Sequence, residues 1–351
     1  MTVLVTGAFG LVGSATVRQL AADGQNVVAS DLDVPANREA AAKLPSEVQV
    51  RYADLTDPAA VDNLIGGVAP EVVIHLAAVI PPLIYARREL ARKVNVDATG
   101  HLLAAAAKQA TPPRFVQASS IAVYGARNPH RITDLLTSDT PPNPSDLYGA
   151  HKLASERLVR AAELDWVILR LGGVMTVEVA GLMNFDNMYF EGLLPTDNRL
   201  STVDVRDVAR AFAAATTAPV LGETLLIGGD DSHRLLQGDV GSAVAAAMGL
   251  VGGLPVGLKG NPNSDTDWFA TDWMDTTRSQ EALGFQHHSW PDLLIETAER
   301  TGWKRPLLRL AAPLAHAILQ RRAPYYRAEG PYADPWGAIA AKWGDPSPEH
   351  L

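Results

Sequence analysis

Val3-Leu4-Val5-Thr6-Gly7-Ala8-Phe9-Gly10-Leu11-Val12-Gly13 is the stretch that decides the fold. A short β-branched run stops at Thr6-Gly7. From Val12 to Ala22 the apolar residues Val12, Ala15, Val17, Leu20 and Ala21 recur at helical spacing. The stretch therefore reads as strand, glycine turn, helix. Gly7 permits the tight turn, Gly10 lets a diphosphate approach the backbone, and Gly13 lets the helix pack on the strand. The first turn of the helix then offers free N–H groups to an anion. Elsewhere three glycines would mark only a tight turn; the strand before them and the helix after them give the spacing its meaning.

Working outward, the same alternation repeats. Val27-Val28-Ala29 is a second strand ending at Ser30-Asp31, and Val48 to Tyr52 a third, followed by Asp54-Leu55. Val72 to Leu76 is a fourth, followed by Ala77-Ala78, and Asn95 to Ala107 a helix. Phe115 to Ala118 is a fifth strand, Leu147 to Leu164 a helix, and Trp166 to Leu169 a sixth strand. Strands that are apolar on both faces, with helices between them, imply a parallel sheet covered on both sides, a doubly wound α/β fold. Such folds bind ligands beyond the carboxyl ends of the strands. Asp31 stands at one of those ends, where a carboxylate accepts hydrogen bonds from both ribose hydroxyls of a dinucleotide and repels a 2′-phosphate. No arginine follows it directly, and Arg38 is some way on. The expected cofactor is NAD rather than NADP. A solvated turn aspartate is the other reading of Asp31.

Tyr148-Gly149-Ala150-His151-Lys152 opens a helix, and residues four apart share a helix face. A lysine beside a tyrosine favours the phenolate and is expected to lower the tyrosine pKa toward the working range of an acid–base catalyst. Ser120, at the end of the fifth strand in Ala118-Ser119-Ser120-Ile121-Ala122-Val123-Tyr124-Gly125, offers a hydroxyl to hold a substrate oxygen against the tyrosine.

With the glycine loop, these segments resemble the extended short-chain dehydrogenase/reductase type, the NAD-dependent epimerase/dehydratase family. Glycines at 7, 10 and 13 match the extended branch rather than the classical one. The resemblance covers about residues 1 to 300. It implies a Rossmann-like sheet with a smaller interleaved C-terminal substrate region, and a catalytic set of Ser120, Tyr148 and Lys152. By the same resemblance Lys152 also binds the nicotinamide ribose. The cofactor contacts would be Gly7, Phe9, Gly10, Leu11, Gly13 and Asp31, then Asp54 and Leu55 on the adenine side. Leu76, Ala77, Ala78 and Asn95 complete them, with Tyr148 and Lys152. Val205-Arg206-Asp207-Val208-Ala209 and Ala282-Leu283-Gly284-Phe285 are further family-like segments. The implied partition is 1–170 with 201–228 for NAD, 171–200 with 229–304 for substrate, and 305–351 as a C-terminal extension.

Bulk properties narrow the function. The net charge of −9 disfavours nucleic acid and anionic membrane as partners of the bulk surface. No cysteine is present, which excludes disulfides, thiolate metal sites and a thiol nucleophile. No apolar run is long enough to span a bilayer. The expectation is a soluble cytoplasmic enzyme acting on a small molecule, with a homodimer as the candidate assembly, no stable membrane insertion and no metal. Several attractive residues do not carry chemistry. Tyr124 has Asn128 rather than a lysine four residues on, and Ser119-Ser120 lack a hydrolase elbow. His287-His288 read as a loop, and His75 as a core histidine.

Departures from the family pattern matter as much. Where dehydratases carry an acidic pair, this chain has Ile121-Ala122 after Ser120, so sugar dehydration lacks its acid. Arg199 sits one residue away from the family's diphosphate-binding arginine. Leu182, Met183, Phe185, Met188, Tyr189, Phe190, Leu193 and Leu194 form an apolar stretch that suits either a less polar substrate or domain packing. Between Lys304 and Arg327 every charged residue is basic, around an apolar segment containing Pro313. That segment could pack on the enzyme, contact a partner subunit or lie at an anionic membrane surface, and Tyr325, Tyr326, Tyr332 and Trp336 could close over the cleft. Three functions compete: a dehydrogenase or reductase of a secondary alcohol or ketone, a nucleotide-sugar 4-epimerase with tightly held NAD, and a non-catalytic dinucleotide-binding protein.

Overall fold

The structure is a computed structural model, which describes residues 1–178, 185–326 and 330–349. Seven strands form the main sheet. They are β1 (Thr2–Thr6), β2 (Asn26–Asp31), β3 (Gln49–Tyr52), β4 (Val72–His75), β5 (Arg114–Ser120), β6 (Trp166–Leu171) and, later in the chain, β9 (Thr224–Ile227). Their order is β3-β2-β1-β4-β5-β6-β9 and every pairing is parallel. Alternation within the strands sends side chains to two separate cores. Val3, Val5 and Ala29 face the Leu11–Ala22 and Val205–Ala215 helices. Leu4, Val28 and Val73 face the Pro58–Val68 and Ala98–Ala107 helices. Burial on both faces is why the strands read as unbroken apolar runs.

Register aligns the carboxyl ends. Thr6 pairs with Ser30 on one side and His75 on the other, and Asp31 pairs with Tyr52. The chain leaves β1 for β2 in one direction and later crosses to β4 in the other. The glycine loop therefore lies where the strand order reverses, the crevice in which doubly wound sheets bind ligands.

The three remaining strands form a small sheet of order β10-β8-β7, from β7 (Gly173–Met175), β8 (Arg199–Asp204) and β10 (Arg234–Leu236). β8 pairs in parallel with β7 and antiparallel with β10. The late family-like segment returns to the main body. The Thr277–Leu283 helix ends at Gly284, and Leu283 and Phe285 are buried in the same core as Val3 and Val5.

The C-terminal extension has two different fates. Helix Pro335–Trp343 packs Ile339 against Ile84, Tyr85, Leu147 and Phe190, with Trp336 and Tyr325 in the same cluster. Beyond it the backbone N–H of Leu147 donates to the Pro346 carbonyl at 2.8 Å. Helix Lys304–Gln320, in contrast, buries only Ala312. It continues through Pro313, whose missing N–H leaves the Arg309 carbonyl without its usual intrahelical donor. No helix among the described residues is long and apolar enough to cross a membrane.

Candidate active site

The glycine loop has the shape of a diphosphate cradle. Gly7 adopts φ +68°, and a Cβ there would sit 2.5 Å from the Ala77 nitrogen, so the β1 and β4 loops touch only because residue 7 is glycine. A Cβ on Gly10 would meet nothing nearer than the Gly7 carbonyl at 3.5 Å, which leaves open space on that side. No side chain caps the Leu11–Ala22 helix, and its first N–H groups point toward that space. Phe9 is partly buried, its ring 6.3 Å from that of Tyr52, while Leu11 is exposed. One Asp31 carboxylate oxygen accepts from the Phe9 N–H at 3.2 Å and the other from Leu32 N–H at 2.8 Å, so the carboxylate is fixed at the loop's rim. Arg38 forms a bidentate pair with Asp33 at 2.6 and 2.8 Å and is engaged there rather than at Asp31. These residues fit a dinucleotide whose ribose lacks a 2′-phosphate.

The loop after β4 lies beside this cradle. Leu76 N–H donates to the Thr6 carbonyl at 3.1 Å, and Ala77 and Ala78 follow along the crevice. Asn95 holds the loop from beneath: its Oδ1 accepts from Val79 N–H at 2.7 Å and its Nδ2 donates to the Val79 carbonyl at 2.8 Å. Its amide is thus consumed in positioning the loop. Asp54 lies in an exposed turn closed by Thr56 N–H and Oγ1, at 2.9 and 2.7 Å. The Leu55 side chain belongs to the core beside Val61 and Leu64. These two stand apart from Ser120, Tyr148 and Lys152, on the β3 side of the crevice.

Ser120, Tyr148 and Lys152 converge. Ser120 ends β5 and its Oγ accepts from the Ala122 N–H at 3.2 Å, starting the 3₁₀ turn Ile121–Tyr124. The Leu147–Ala161 helix begins against that turn. A Cβ on Gly149 would lie 2.3 Å from the Ala122 carbonyl, so glycine at 149 lets the helix approach closely enough to bring Tyr148 to Ser120. The neighbouring Ser120 hydroxyl lowers the Tyr148 pKa, but burial is the larger effect and raises it well above the usual tyrosine value, with Asp146 adding to the rise. Lys152 is buried. Its Nζ donates to the Ala118 carbonyl at 2.9 Å and lies 5.8 Å from the centre of the Tyr148 ring. Burial drops its pKa to about 8, against an opposing pull from Glu156. The expected lowering of the Tyr148 pKa by Lys152 is therefore corrected: the lysine's nearest partner is a backbone carbonyl, and desolvation of the ring dominates. Tyr148 stands as a protonated phenol, suited to giving its proton to an oxygen held beside Ser120.

Two supports of this group escape a reading by motif. Asp146 caps the Leu147–Ala161 helix, accepting from Gly149 and Tyr148 N–H at 3.0 and 3.2 Å, and also accepts from the Tyr85 hydroxyl at 2.7 Å. Its position before the helix is a recognisable N-cap signal. Glu156, one turn after Lys152, is fully buried and accepts from Arg170 Nε and Nη2 at 2.8 and 2.7 Å, from Ser119 Oγ at 2.5 Å and from Arg160 at 2.9 Å. Arg170 also donates to the Tyr124 hydroxyl at 2.6 Å. This network ties β5, β6 and the Leu147–Ala161 helix together, and no local pattern announces it.

His75, His287, His288 and Arg199 are engaged within the fold. His75 is buried with Nδ1 2.7 Å from Thr6 Oγ1; burial, helped by the Lys152 charge, depresses its pKa to about 3 and keeps it neutral. Asp207 accepts from the backbone N–H groups of His287 and His288, both at 2.9 Å, and pairs with the His288 ring at 2.7 Å. Arg199 is internal. It pairs with Asp272 at 2.8 Å, donates to the Ile132 carbonyl at 2.7 Å and lies over the Trp273 ring. Of the apolar stretch, Leu182 and Met183 lie outside the described residues; Phe190, Leu193 and Leu194 are buried in the cluster that also touches Tyr148.

The profile of the NAD dependent epimerase/dehydratase family matches residues 3–228. The chain belongs to that family, whose members here are extended short-chain dehydrogenases/reductases with a Rossmann-like sheet. It is 34% identical over 185 residues to a D-erythronate dehydrogenase of Cupriavidus necator, a match covering 49% of this chain and 54% of that protein. Against a dTDP-glucose 4,6-dehydratase of Neisseria meningitidis it is 30% identical over 268 residues, covering 67% and 73% respectively. The UDP-glucose 4-epimerase of Thermus thermophilus, solved in complex with NAD, superposes with a TM-score of 0.68 at 24% identity, covering 86% of this chain and 99% of that one. The match thus spans about half the length of the first relative but nearly all of the epimerase structure.

Proposed function

We propose that this enzyme is an NAD-dependent oxidoreductase of a secondary alcohol or ketone. The observation that carries the reading is the convergence of Ser120, Tyr148 and Lys152 beside a glycine cradle that fits NAD. The nicotinamide, when bound, supplies or accepts the hydride. Tyr148 gives a proton to the substrate oxygen, or takes one from it, and Ser120 holds that oxygen in line. Lys152, buried against the Ala118 carbonyl, brings positive charge to the same corner and binds the nicotinamide ribose. Asp31, with Arg38 turned away toward Asp33, favours NAD over NADP. We read residues 1–170 and 201–228 as the NAD-binding unit, 171–200 and 229–304 as the substrate region, and 305–351 as an extension. The working assembly is a homodimer in the cytoplasm, which mass in solution and fractionation would test.

The same three residues serve a 4-epimerase, so the substrate side separates the readings. Arg199 is internal and paired with Asp272, and Arg127 shares that carboxylate at 2.5 Å. Neither is free to clamp a diphosphate, which favours a substrate without one. Dehydration is disfavoured because Ile121-Ala122 supplies no carboxylate. Tyr148→Phe tests the mechanism. It removes one hydroxyl, keeps the ring in its apolar cluster, and should lower kcat by roughly a hundred- to ten-thousandfold with NAD affinity unchanged. Near-normal turnover would remove Tyr148 from the chemistry. Retention of NAD through purification, with conversion of a nucleotide sugar, would establish the epimerase reading instead.

A further inference from the structure

The Lys304–Gln320 helix presents an apolar face that stands exposed among the described residues. Trp303, Leu307, Leu310, Leu314 and Ile318 are spaced by four, three, four and four residues, one stripe of a helix. All five are exposed, Trp303 by 77%, Leu310 by 82% and Leu314 by 66%. Burying such a stripe is the usual reason a helix carries one, and here only Ala312, on the opposite side, is buried.

Charge frames the stripe. Lys304, Arg305, Arg309, Arg321 and Arg322 lie within or next to the helix, with no acidic residue between them, on a chain of net charge −9. None of the five is in an ion pair with another described residue; Arg322 lies over the Phe185 ring. At the helix's start a cleft of about 390 Å³ is lined by Gly249, Gly302, Arg305, Pro306 and Arg309, with Val251, itself 60% exposed, on its rim. An apolar stripe with Lys304, Arg321 and Arg322 at its two ends, none of them ion-paired among the described residues, has the composition of a helix that lies in the plane of a lipid surface; Arg305 and Arg309 stand on the far side of the helix, at the cleft.

We propose that this helix docks the enzyme on an anionic membrane surface, with the Leu307–Leu310–Leu314 stripe among the acyl chains and the flanking cations against headgroup phosphates. A second copy of the chain fits the same face less well. A two-fold contact between these helices would set Lys304, Arg321 and Arg322 against the same cations of the second copy. The acidic remainder of the surface is repelled by the same membrane, which fixes the orientation: the enzyme sits on this one helix.

The experiment is co-sedimentation of the full chain with vesicles of equal parts phosphatidylcholine and phosphatidylglycerol, and with phosphatidylcholine alone. The wild type should bind the mixed vesicles, bind the neutral ones far more weakly, and lose affinity as salt rises. Leu310→Glu with Leu314→Glu should reduce partitioning by roughly a hundredfold, because two leucines leave the acyl region. Lys304→Glu with Arg321→Glu, which reverses the charge at both ends of the stripe, should abolish the preference for anionic vesicles. Both pairs are on the surface and should leave the melting temperature unchanged. Failure of the wild type to bind mixed vesicles, or unaltered binding by the leucine pair, overturns the proposal. So does a dimer in solution that the leucine pair converts to monomer, for then a second copy covers the stripe.

Discussion

Replacing Lys152 by methionine should abolish turnover and, at neutral pH, make the protein more stable. The lysine is buried and its pKa stands at about 8 where an ordinary lysine has 10.5. That difference corresponds to about 3 kcal/mol working against the folded state whenever the amine is charged. Methionine has similar length and no charge, so the substitution relieves this strain with little change in packing. It also deletes the hydrogen bond to the Ala118 carbonyl, a loss of about 1 kcal/mol. The net gain is about 2 kcal/mol, or about 3 °C in Tm for a chain of this size. The sign with pH follows from proton binding. Between about 8 and 10.5 the unfolded lysine holds a proton that the folded one has lost, so wild-type stability rises with pH across that window. The advantage of Lys152→Met should therefore be full below pH 8 and fade toward pH 10.5. Thermal unfolding of both proteins without added nucleotide, at neutral and at alkaline pH, measures it. A variant less stable than wild type at pH 7, or a difference that does not change with pH, would refute the reasoning.

Three further outcomes follow from the same geometry. Asp31→Ala removes the carboxylate held by the Phe9 and Leu32 N–H groups and should narrow the preference for NAD over NADP; a wild type that binds NADP better in titration would overturn the cofactor reading. Glu156→Gln leaves the Arg170 guanidinium, 2% exposed, without its counter-charge, and should cost about 3–5 kcal/mol, partly restored by adding Arg170→Met. Denaturant unfolding that shows both variants equal to wild type would remove the network from the stability of the Leu147–Ala161 helix. Deleting residues 344–351 breaks the Leu147–Pro346 hydrogen bond and the contacts of Arg88 with Asp345, Ser347 and Glu349. Turnover should fall severalfold while NAD affinity holds, since the nucleotide cradle lies elsewhere; a loss of NAD affinity equal to the loss of turnover would show that the tail supports the cofactor site.

What the chain's own pattern determined was local. The glycine spacing after Val3-Leu4-Val5 could be read because a tight turn and an uncapped helix start depend on neighbours along the chain. The strands could be read because a parallel sheet buried on both faces leaves unbroken apolar runs. The Tyr148–Lys152 pair could be read because four residues make one helical turn. Tertiary structure alone decided what depends on partners far apart in sequence. Ser119, Glu156 and Arg170 form one buried network across three elements. Asn95 spends its amide on Val79, and Arg199, which stood near a diphosphate-binding position, turns inward to Asp272. The Tyr148 pKa went the opposite way from the reading of its lysine neighbour, because burial is a property of the packed whole and outweighs one charge across a helical turn. The C-terminal extension shows the same division: its stripe was visible as apolar residues among cations, but which face met the protein and which stayed open was settled only when the fold had used up its own surface.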